Sequence, residues 1–406
     1  MRLLIISDLF PNKVQPERGT FVKLQAEKLS EFYKVDVVSP VPFSFKKYID
    51  IPKLVKGKKC NIFYPREIKL PFNFLFFSRA LTYFIAIFLF FISYKKKNKI
   101  DLIHCHFAFP DGFVCALLKK IFKIPYVLTV HGSDIRVFPY KNFILKKFVN
   151  IALKNANKII AVSNELKNRV LQLNGKYEVE VIYNGVDFEK FTLTDKKGTE
   201  PLNKKIIFLG IFIERKNPLI LIESLKNIIL TEPNIELHLF GTGHLKQKMI
   251  DTIKSYKLEN YVKIFDKIDN NRAPEIMKEY DMLVLPSLYE SFGVVLIEAM
   301  ACGLPVVSTK AGGIPEVVND KKVGLLVEPA NQSALEEAIL KALKTDWNKF
   351  YIREYARKFS IENCINKLCK IYIIMKEKSL QNRYDDDEKK NTDSIDLSYI
   401  DRIMKV

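Results

Sequence analysis

Twelve short apolar runs, separated by stretches with helical periodicity, most strongly constrain what this 406-residue chain can fold into. Strands that alternate with helices are typical of βαβ units and parallel sheets. The runs fall into two sets of six, which predicts an α/β protein with two Rossmann-like domains. The predicted strands are 3–7, 35–39, 102–106, 126–130, 159–162 and 179–183 in the first set, and 206–209, 236–240, 262–265, 282–285, 306–308 and 324–327 in the second.

The domain boundary is predicted at the Asn-Gly turn of Asn184 and Gly185, which ends the last run of the first set. The chain is too long for one ordinary core and fits two domains of about 150–200 residues. We therefore expect four segments: a first domain over 1–185, a second over 186–350, helices over 351–378 and a polar, disordered tail over 379–406.

The positive charge of the chain is concentrated in its first half. The net charge is +19, and residues 1–190 hold 32 Lys and Arg against 15 Asp and Glu. Such an excess predicts an anionic partner, either nucleic acid or a membrane surface. The neighbouring sequence favours the membrane, because residues 72–94 contain ten aromatic side chains and are followed by Lys95, Lys96 and Lys97.

Three interpretations of the segment 72–94 remain open: a domain helix with one face on lipid, a fully buried helix, and a true membrane span. Arg79 interrupts the segment, and the apolar part from 80 to 92 is shorter than the roughly 18–20 residues that a span requires. The first interpretation is favoured. It predicts a cytoplasmic protein that is peripheral on the inner face of the cell membrane, with no signal peptide and with reduced, unpaired cysteines.

The segment from Asp281 to Met300 carries the clearest chemical signal. An apolar strand ends at Pro286, a polar loop contains Glu290, and a helix that begins at Val294 contains Glu298. Ligands bind at the carboxyl ends of strands in α/β sheets, and helix N-termini suit phosphates. Two carboxylates on either side of an anion site predict a sugar nucleotide, which has hydroxyls at both ends and phosphates between.

This segment resembles the Glu-x7-Glu signature of the family-4 retaining glycosyltransferases, enzymes of the GT-B fold that use nucleotide sugars. The resemblance covers roughly residues 1–375, and residues 7–12 with 18–22 are similar to the teichuronic acid and other bacterial surface-polysaccharide enzymes. It implies two domains that face each other across a cleft, with C-terminal helices that cross back to the first domain. It also implies transfer of a sugar, expected to be UDP-linked, to a glycan or lipid-linked acceptor, with no metal or cofactor.

The resemblance also implies roles for individual residues. Glu298 would accept hydrogen bonds from the ribose and Glu290 from the transferred sugar, while His131, in the sequence His-Gly-Ser-Asp, would orient that sugar. Lys216 would meet the diphosphate, and Ile211 stands where the family often has an arginine. The predicted catalytic residues are His131, Glu290 and Lys216. The predicted donor-binding residues are Gly19, Arg215, Lys216, Gly241, Gly243, Glu290, Ser291, Phe292, Gly293 and Glu298.

The acceptor side is predicted from the strand ends of the first domain. Its candidates are Arg18, His106, Asp134 and Ser163, while Glu316 is expected near the domain cleft. Nucleic acid is not an expected partner, and the sequence Asp-Asp-Asp at 385–387 is not expected to bind metal because it follows no apolar strand. Two alternatives remain: a nucleotide-sugar 2-epimerase on the same fold, and a non-catalytic membrane or polysaccharide-binding relative.

Overall fold

A computed structural model describes the backbone of residues 1–43, 48, 50–68, 76–173, 175–193, 203–268 and 272–392. Side chains are described for these residues except 76–79 and 378–392. The described chain forms two parallel α/β sheets and one small two-stranded sheet, so the predicted fold class is confirmed.

The first domain is built on an eight-stranded sheet with the order β10-β9-β8-β7-β1-β2-β5-β4. All pairs are parallel except β4 with β5. The six predicted strands are present, but the sequence did not reveal β3 to β6, because runs of two or three residues are too short to show a period. The strands are β1 (Arg2–Ser7), β2 (Lys34–Val38), β3 (Val41–Pro42), β4 (Leu54–Lys56), β5 (Asn61–Phe63), β6 (Arg66–Glu67), β7 (Leu102–His106), β8 (Tyr126–Val130), β9 (Lys158–Ala161) and β10 (Val179–Val181).

The second domain contains a six-stranded parallel sheet with the order β13-β12-β11-β14-β15-β16. This is the Rossmann order, in which the chain reverses direction across the sheet between β11 and β14. The crevice at that point receives the loops that follow both strands. The strands are β11 (Lys204–Leu209), β12 (Ile235–Phe240), β13 (Val262–Phe265), β14 (Met282–Leu285), β15 (Val306–Thr309) and β16 (Gly324–Val327).

Helices cover the faces of both sheets, as the amphipathic stretches between the strands predict. Short helical turns lie at Ala108–Gly112, Glu214–Lys216 and Arg357–Phe359. The helices are α1 (Thr20–Leu29), α2 (Phe76–Lys97), α3 (Phe113–Phe122), α4 (Ser133–Arg136), α5 (Phe138–Lys141), α6 (Phe143–Asn155), α7 (Asn164–Leu173), α8 (Pro218–Ile228), α9 (Lys246–Ser255), α10 (Ala273–Met277), α11 (Val294–Ala301), α12 (Ile314–Val317), α13 (Gln332–Lys344), α14 (Lys349–Ala356) and α15 (Ile361–Thr392).

The last helix, α15, crosses back to the first domain. Ile365, Leu368 and Tyr372 are buried in one cluster with Leu3 of β1 and Val22 of α1. Helix α15 continues to Thr392, into the segment from residue 379 that was expected to be a polar, disordered tail. Glu, Lys, Gln and Arg, which are frequent there, are good helix formers. Residues 393–406 lie outside the described chain.

Helix α2 belongs to the first domain and has two different faces. Tyr83, Ile87 and Phe91 are fully buried in the core, whereas Leu81 and Ile85, on the opposite face, are 47% and 45% exposed. The interpretation of a fully buried helix is therefore wrong, and residues 72–75 lie outside the description. In the part of the chain that the structure describes, no helix is sufficiently long and apolar to cross a bilayer.

Candidate active site

Two neighbouring cavities lie between the domains. The larger, of 680 Å³, is lined by His131 from the first domain and by the loops that carry Lys216 and Glu290 in the second. The smaller, of 500 Å³, is lined by Glu298 together with residues of the loop after β1 and of helix α1. Phe21 and Val294 line both cavities, which therefore form one extended cleft.

Glu290 is held by partners from its own domain. Its loop follows β14, and Lys216 lies on the turn after β11, so the crevice between these strands brings the two side chains together. Lys216 Nζ donates to Glu290 Oε1, and Ser287 Oγ donates to the same oxygen over 3.0 Å. The side chains are 14% and 9% exposed. This ion pair is nearly excluded from water, and Glu290 therefore has a fixed position.

Gly312 and Gly313 fix the backbone of the same loop. Gly312 has φ +60°, and a Cβ there would lie 1.9 Å from the carbonyl oxygen of Glu290. Gly313 N donates to that carbonyl over 2.9 Å. Only glycine allows this approach, which explains the Gly-Gly sequence that follows β15.

Helix α11 begins at the cleft. Its first turn follows Gly293, which has φ 90° and ends the loop, and Val294 and Val295 line the larger cavity. The first N–H groups of a helix lack intrahelical partners, and the helix dipole favours negative charge there. This geometry suits a phosphate group between Lys216 and α11.

Two arginines add positive charge to the larger cavity. The Arg215 side chain is exposed and has no ion-pair partner among the described residues. Arg136 of the first domain lies over the ring of Tyr289 at 3.2 Å from its centroid. The sequence did not single out Arg136 or Tyr289, because a cation–π contact between two domains leaves no local signal.

Glu298 has a different environment from Glu290. It is partly buried where α11 faces the first domain, and its carboxylate makes no hydrogen bond or ion pair with any residue that the structure describes. Burial raises the pKa of Glu298 to about 7, opposed only by the charge of Lys190. An acid without protein partners is available to ligand hydroxyls.

His131 lies at the end of β8 and is partly exposed to the larger cavity. Its ring packs against Phe21 and Phe107, with centroid distances of 4.8 and 4.6 Å, and its Nε2 lies 3.0 Å from Nδ1 of His106. Burial, with a smaller contribution from the nearby His104, lowers the pKa of His131 to about 3. His131 is therefore a neutral imidazole at neutral pH.

Three of the four predicted acceptor-side residues are not in the cavities. Asp134, His106 and Ser163 are fully buried. Asp134 accepts hydrogen bonds from the backbone N–H groups of Ala108, His131 and Gly132, so it shapes the turn that presents His131. Ser163 Oγ accepts a hydrogen bond from Leu166 N and caps α7. All three residues are buried and line neither of the two cavities.

The fourth acceptor-side candidate, Arg18, forms an ion pair with Asp8 over 3.1 Å and is partly exposed. Gly19, predicted to contact the donor, has φ +69°, and a Cβ there would lie 2.1 Å from Leu9 O. Its left-handed conformation starts helix α1, two residues before Phe21. The structure thus gives Gly19 a backbone role at the edge of the cleft.

Gly241 and Gly243 lie apart from the two cavities. Added Cβ atoms would lie 1.9 Å from Gly210 O and 2.2 Å from Phe212 O, respectively. The two glycines therefore allow the loops after β11 and β12 to touch. Ile211 stands between Gly210 and Phe212 in the sequence, and its side chain is exposed. This is the position at which the family resemblance implies an arginine.

Glu316 joins the domains. Its Oε1 accepts from Glu165 N at 2.9 Å, and its Oε2 accepts from Asn164 N at 2.8 Å; Tyr183 Oη donates to Oε2 at 3.0 Å. A carboxylate of the second domain thus caps helix α7 of the first, where the helix dipole stabilises a negative charge. The expectation that Glu316 lies at the domain cleft is confirmed.

The described residues contain no group of three His, Cys, Asp or Glu that could hold a metal ion. The sequence at 385–387 falls within α15, and its side chains lie outside the description.

Comparison with known proteins places this geometry in a family. The model of glycosyltransferase family 4 matches residues 19–190, and that of glycosyl transferases group 1 matches residues 190–359. An uncharacterised glycosyltransferase of Methanocaldococcus jannaschii is 34% identical over 72% of this chain and 81% of its own. The putative teichuronic acid biosynthesis glycosyltransferase TuaC of Bacillus subtilis is 26% identical over 84% and 88%.

A solved structure shares the fold. HepE from Anabaena, crystallised in complex with UDP-glucose, superposes with a TM-score of 0.71 and 21% identity, covering 92% of this chain and 99% of HepE.

Proposed function

Because the chain belongs to the family-4 glycosyltransferases, we propose that it is a retaining enzyme that transfers a sugar from a nucleotide sugar to a glycan or lipid-linked acceptor. The observation that carries the proposal is the cleft itself. A buried Lys216–Glu290 pair, the N-terminus of α11 and the unpartnered Glu298 follow one another along it. This order matches the order of sugar, diphosphate and ribose in a donor.

The donor would bind with its diphosphate between Lys216, Arg215 and the first N–H groups of α11. Hydrogen bonds between cations and phosphate are roughly twice as strong as neutral ones. Glu298 would accept hydrogen bonds from the ribose hydroxyls, and Glu290 from hydroxyls of the transferred sugar. The charge of Lys216 is already balanced by Glu290. The net positive charge that faces the diphosphate would therefore come from Arg215 and the helix dipole.

In the proposed reaction, the bond between the anomeric carbon and the diphosphate oxygen breaks while the acceptor hydroxyl attacks from the same face. Because attack and departure occur on the same face, the configuration at the anomeric carbon is retained, and the acceptor proton passes to the departing phosphate. Fixed positive groups that face the leaving oxygen stabilise its developing charge. With these groups in place, the step requires no metal ion.

The crystallised complex of one similar protein and the name of another support the proposed classes of donor and acceptor. HepE was crystallised with UDP-glucose, which favours a UDP-linked donor here. TuaC is named for teichuronic acid biosynthesis, which favours an acceptor from a surface polysaccharide.

Helix α2 supports the further proposal that the first domain rests on an anionic membrane surface. Leu81, Ile85 and Leu89 form an exposed stripe at i, i+4 and i+8, and exposed Lys95–Lys97 lie in its last turn. The helix contains no acidic residue. A basic and apolar surface of this kind binds anionic lipids, which would place the enzyme on the cytoplasmic face beside a lipid-linked acceptor.

The donor site is tested by thermal unfolding with UDP, GDP, ADP or CMP, for the wild type and Lys216→Ala. A ligand at a hundred times its Kd adds about 2.7 kcal/mol of stability, which gives a shift of a few degrees. We expect one nucleotide to stabilise the wild type clearly more than the variant. Equal stabilisation of both proteins would remove Lys216 from the site, and stabilisation of neither would contradict the donor proposal.

The reaction is tested by incubation with the matching nucleotide sugar and a lipid-linked saccharide. NMR of the product should show the anomeric configuration of the donor. Inversion would contradict the mechanism, and release of an epimerised free sugar without acceptor would establish the 2-epimerase alternative.

The membrane proposal is tested by sedimentation with phosphatidylglycerol vesicles. Replacing Lys95, Lys96 and Lys97 by Gln should reduce binding, since each basic residue near such a surface contributes about 1 kcal/mol. The same change at Lys248, Lys254 and Lys257, exposed on the second domain, is the matched control. Undiminished sedimentation of the α2 variant would contradict the proposal.

A further inference from the structure

Three histidines of the first domain form a row that runs from the core to the cleft. His104 and His106 of β7 pack with ring centroids 4.3 Å apart, and His106 packs on His131 at 5.3 Å. His104 contacts Thr129 Oγ1 over 2.8 Å and Tyr372 Oη over 2.6 Å. Only His131 reaches the cavity, so the contact between His106 and His131 connects the core to the site.

The contact between the two rings requires one proton. His106 Nδ1 and His131 Nε2 are 3.0 Å apart, a hydrogen-bond distance at which one nitrogen donates and the other accepts. Burial lowers the pKa values of both rings, that of His106 well below its usual range, so each ring is neutral and carries a single N–H. Which nitrogen donates therefore determines the tautomer of both rings.

The second nitrogen of His106 selects the arrangement. His106 is fully buried, and its Nε2 has no hydrogen-bond partner in the described structure. If Nδ1 were the acceptor, Nε2 would carry the hydrogen and become a buried donor without a partner, which is rare in folded proteins. If Nδ1 donates, Nε2 is an unprotonated nitrogen without a hydrogen-bond partner, and an unprotonated nitrogen loses less on burial than an N–H donor.

We infer that His106 is a positioning residue: its Nδ1–H donates to Nε2 of His131 and fixes His131 as the Nδ1–H tautomer. The Nδ1 of His131 makes no hydrogen bond to a described residue, so its N–H is free for a ligand in the cleft.

Two consequences follow, and both rest on the proposed function. His131 would donate a hydrogen bond to an oxygen of the transferred sugar. It would not act as a general base, because the only lone pair on its ring already accepts the proton of His106. The acceptor proton must then go elsewhere, which agrees with its transfer to the departing phosphate.

The test reads the tautomer directly in the protein without substrate. The chain contains five histidines, so ring-¹⁵N labelling gives few signals in long-range ¹H–¹⁵N correlation spectra, and loss of signals in His131→Asn assigns that ring. We expect the wild type to show His131 with Nδ1–H. Observation of Nε2–H on His131 would overturn the inference without any further variant.

Two variants test the role of His106. In His106→Leu, His131 should shift to the Nε2–H tautomer that free histidine favours, whereas His106→Asn, whose amide lies near the former Nδ1, should retain Nδ1–H. Tyr372→Phe perturbs the same buried row through His104 and should leave His131 unchanged. An unshifted His131 in His106→Leu, or an equal shift in Tyr372→Phe, would overturn the role of His106.

Turnover separates this inference from the proposed function. With a nucleotide sugar, His106→Leu should lower kcat about tenfold, the effect of one lost hydrogen bond, and leave the nucleotide Kd within about twofold. A parallel loss of nucleotide affinity would contradict a role confined to His131. If the wild type transfers no sugar from any donor, the proposed function fails, while the tautomer result is still decided by NMR.

Discussion

Glu290 and Glu298 belong to one motif of fifteen residues, but the fold gives them opposite surroundings. Glu290 is neutralised by Lys216 and receives a hydrogen bond from Ser287, all within the second domain. Glu298 has no described side-chain partner and lies against residues of the first domain. Two identical side chains eight positions apart therefore differ in whether their carboxylate oxygens are already paired or available to a ligand.

The difference indicates a division of tasks. A carboxylate that is already paired keeps its position whether or not the donor is bound. An unpaired acid with a pKa of about 7 changes its charge near neutral pH, so its interaction with a ligand depends on pH. Four substitutions test this comparison, in order of decreasing expected effect on nucleotide affinity.

Lys216→Ala should have the largest effect. It leaves the buried Glu290 carboxylate without its cation, and breaking a buried ion pair costs about 3–5 kcal/mol of unfolding free energy. Nucleotide affinity should fall on the order of 10- to 100-fold, since hydrogen bonds to charged groups contribute about 1.5–3 kcal/mol. Denaturant unfolding and calorimetry measure the two changes.

Lys246→Ala is the matched control for this substitution, because Lys246 forms an exposed ion pair with Asp266. It should change stability by less than about 0.5 kcal/mol. If Lys216→Ala were equally mild, the Lys216–Glu290 pair would not hold the site.

Glu298→Gln should lower nucleotide affinity about tenfold at pH 8 and remove a pH dependence. In the wild type, affinity should rise between pH 6 and 8 as the carboxylate forms and accepts two ribose hydroxyls, whereas an amide carries no charge to change. Glu259→Gln, an exposed position, should retain the wild-type profile. Identical profiles for Glu298→Gln and the wild type would contradict the ribose role.

Glu298→Gln should also change the thermal stability of the protein, and the direction of that change depends on pH. The pKa of Glu298 is raised from about 4.5 to about 7 in the folded protein, so its contribution is fully present below pH 4.5 and is lost as the pH rises through 7. Without ligand, Glu298→Gln should therefore raise Tm relative to the wild type at pH 8, with little difference at pH 5. A constant difference at both pH values would show that Glu298 does not titrate in this range.

Glu316→Gln should have a smaller effect, and it separates the two carboxylates. It weakens the cap on α7 that joins the domains, so Glu298 becomes more exposed to water and the midpoint of its pH profile moves towards 4.5. The Lys216–Glu290 pair lies within one domain and should persist. We expect a few-fold loss of affinity at pH 8, measured by calorimetry over pH; an unmoved midpoint would show that the domain contact does not set the environment of Glu298.

Ser287→Ala should have the smallest effect. One hydrogen bond to Glu290 is lost while Lys216 remains, which costs about 1 kcal/mol and lowers nucleotide affinity less than about fivefold. A loss as large as that of Lys216→Ala would mean that Ser287, not the lysine, positions Glu290.

The sequence predicted the sheets well because parallel strands are buried on both faces and appear as continuous apolar runs. The strands 262–265, 282–285 and 324–327 were predicted with the ends that the structure shows. Strands β3 to β6 were missed because they are short, and the polar composition of residues 379–392 did not reveal that α15 extends over them.

The candidate site was predictable where a motif places residues next to one strand end, as for Glu290, Gly293 and His131. It was not predictable where the answer depends on burial or on contacts between domains. Asp134 has the same sequence context whether it faces the cleft or lies below it. The Arg136–Tyr289 contact joins elements that are far apart in the chain and became visible only in the fold.

The placement of the ribose at Glu298 is tested most directly by titration calorimetry at pH 8, with UDP and 2′-deoxy-UDP as ligands. The proteins compared are the wild type, Lys216→Ala and Glu298→Gln. If a different nucleotide stabilises the protein, that nucleotide and its 2′-deoxy form are used instead. We expect loss of the 2′-hydroxyl to weaken binding to the wild type and to Lys216→Ala by the same factor, but not to weaken binding to Glu298→Gln. An equal loss in all three proteins would contradict the placement of the ribose at Glu298, and with it the assigned order of sugar, diphosphate and ribose along the cleft.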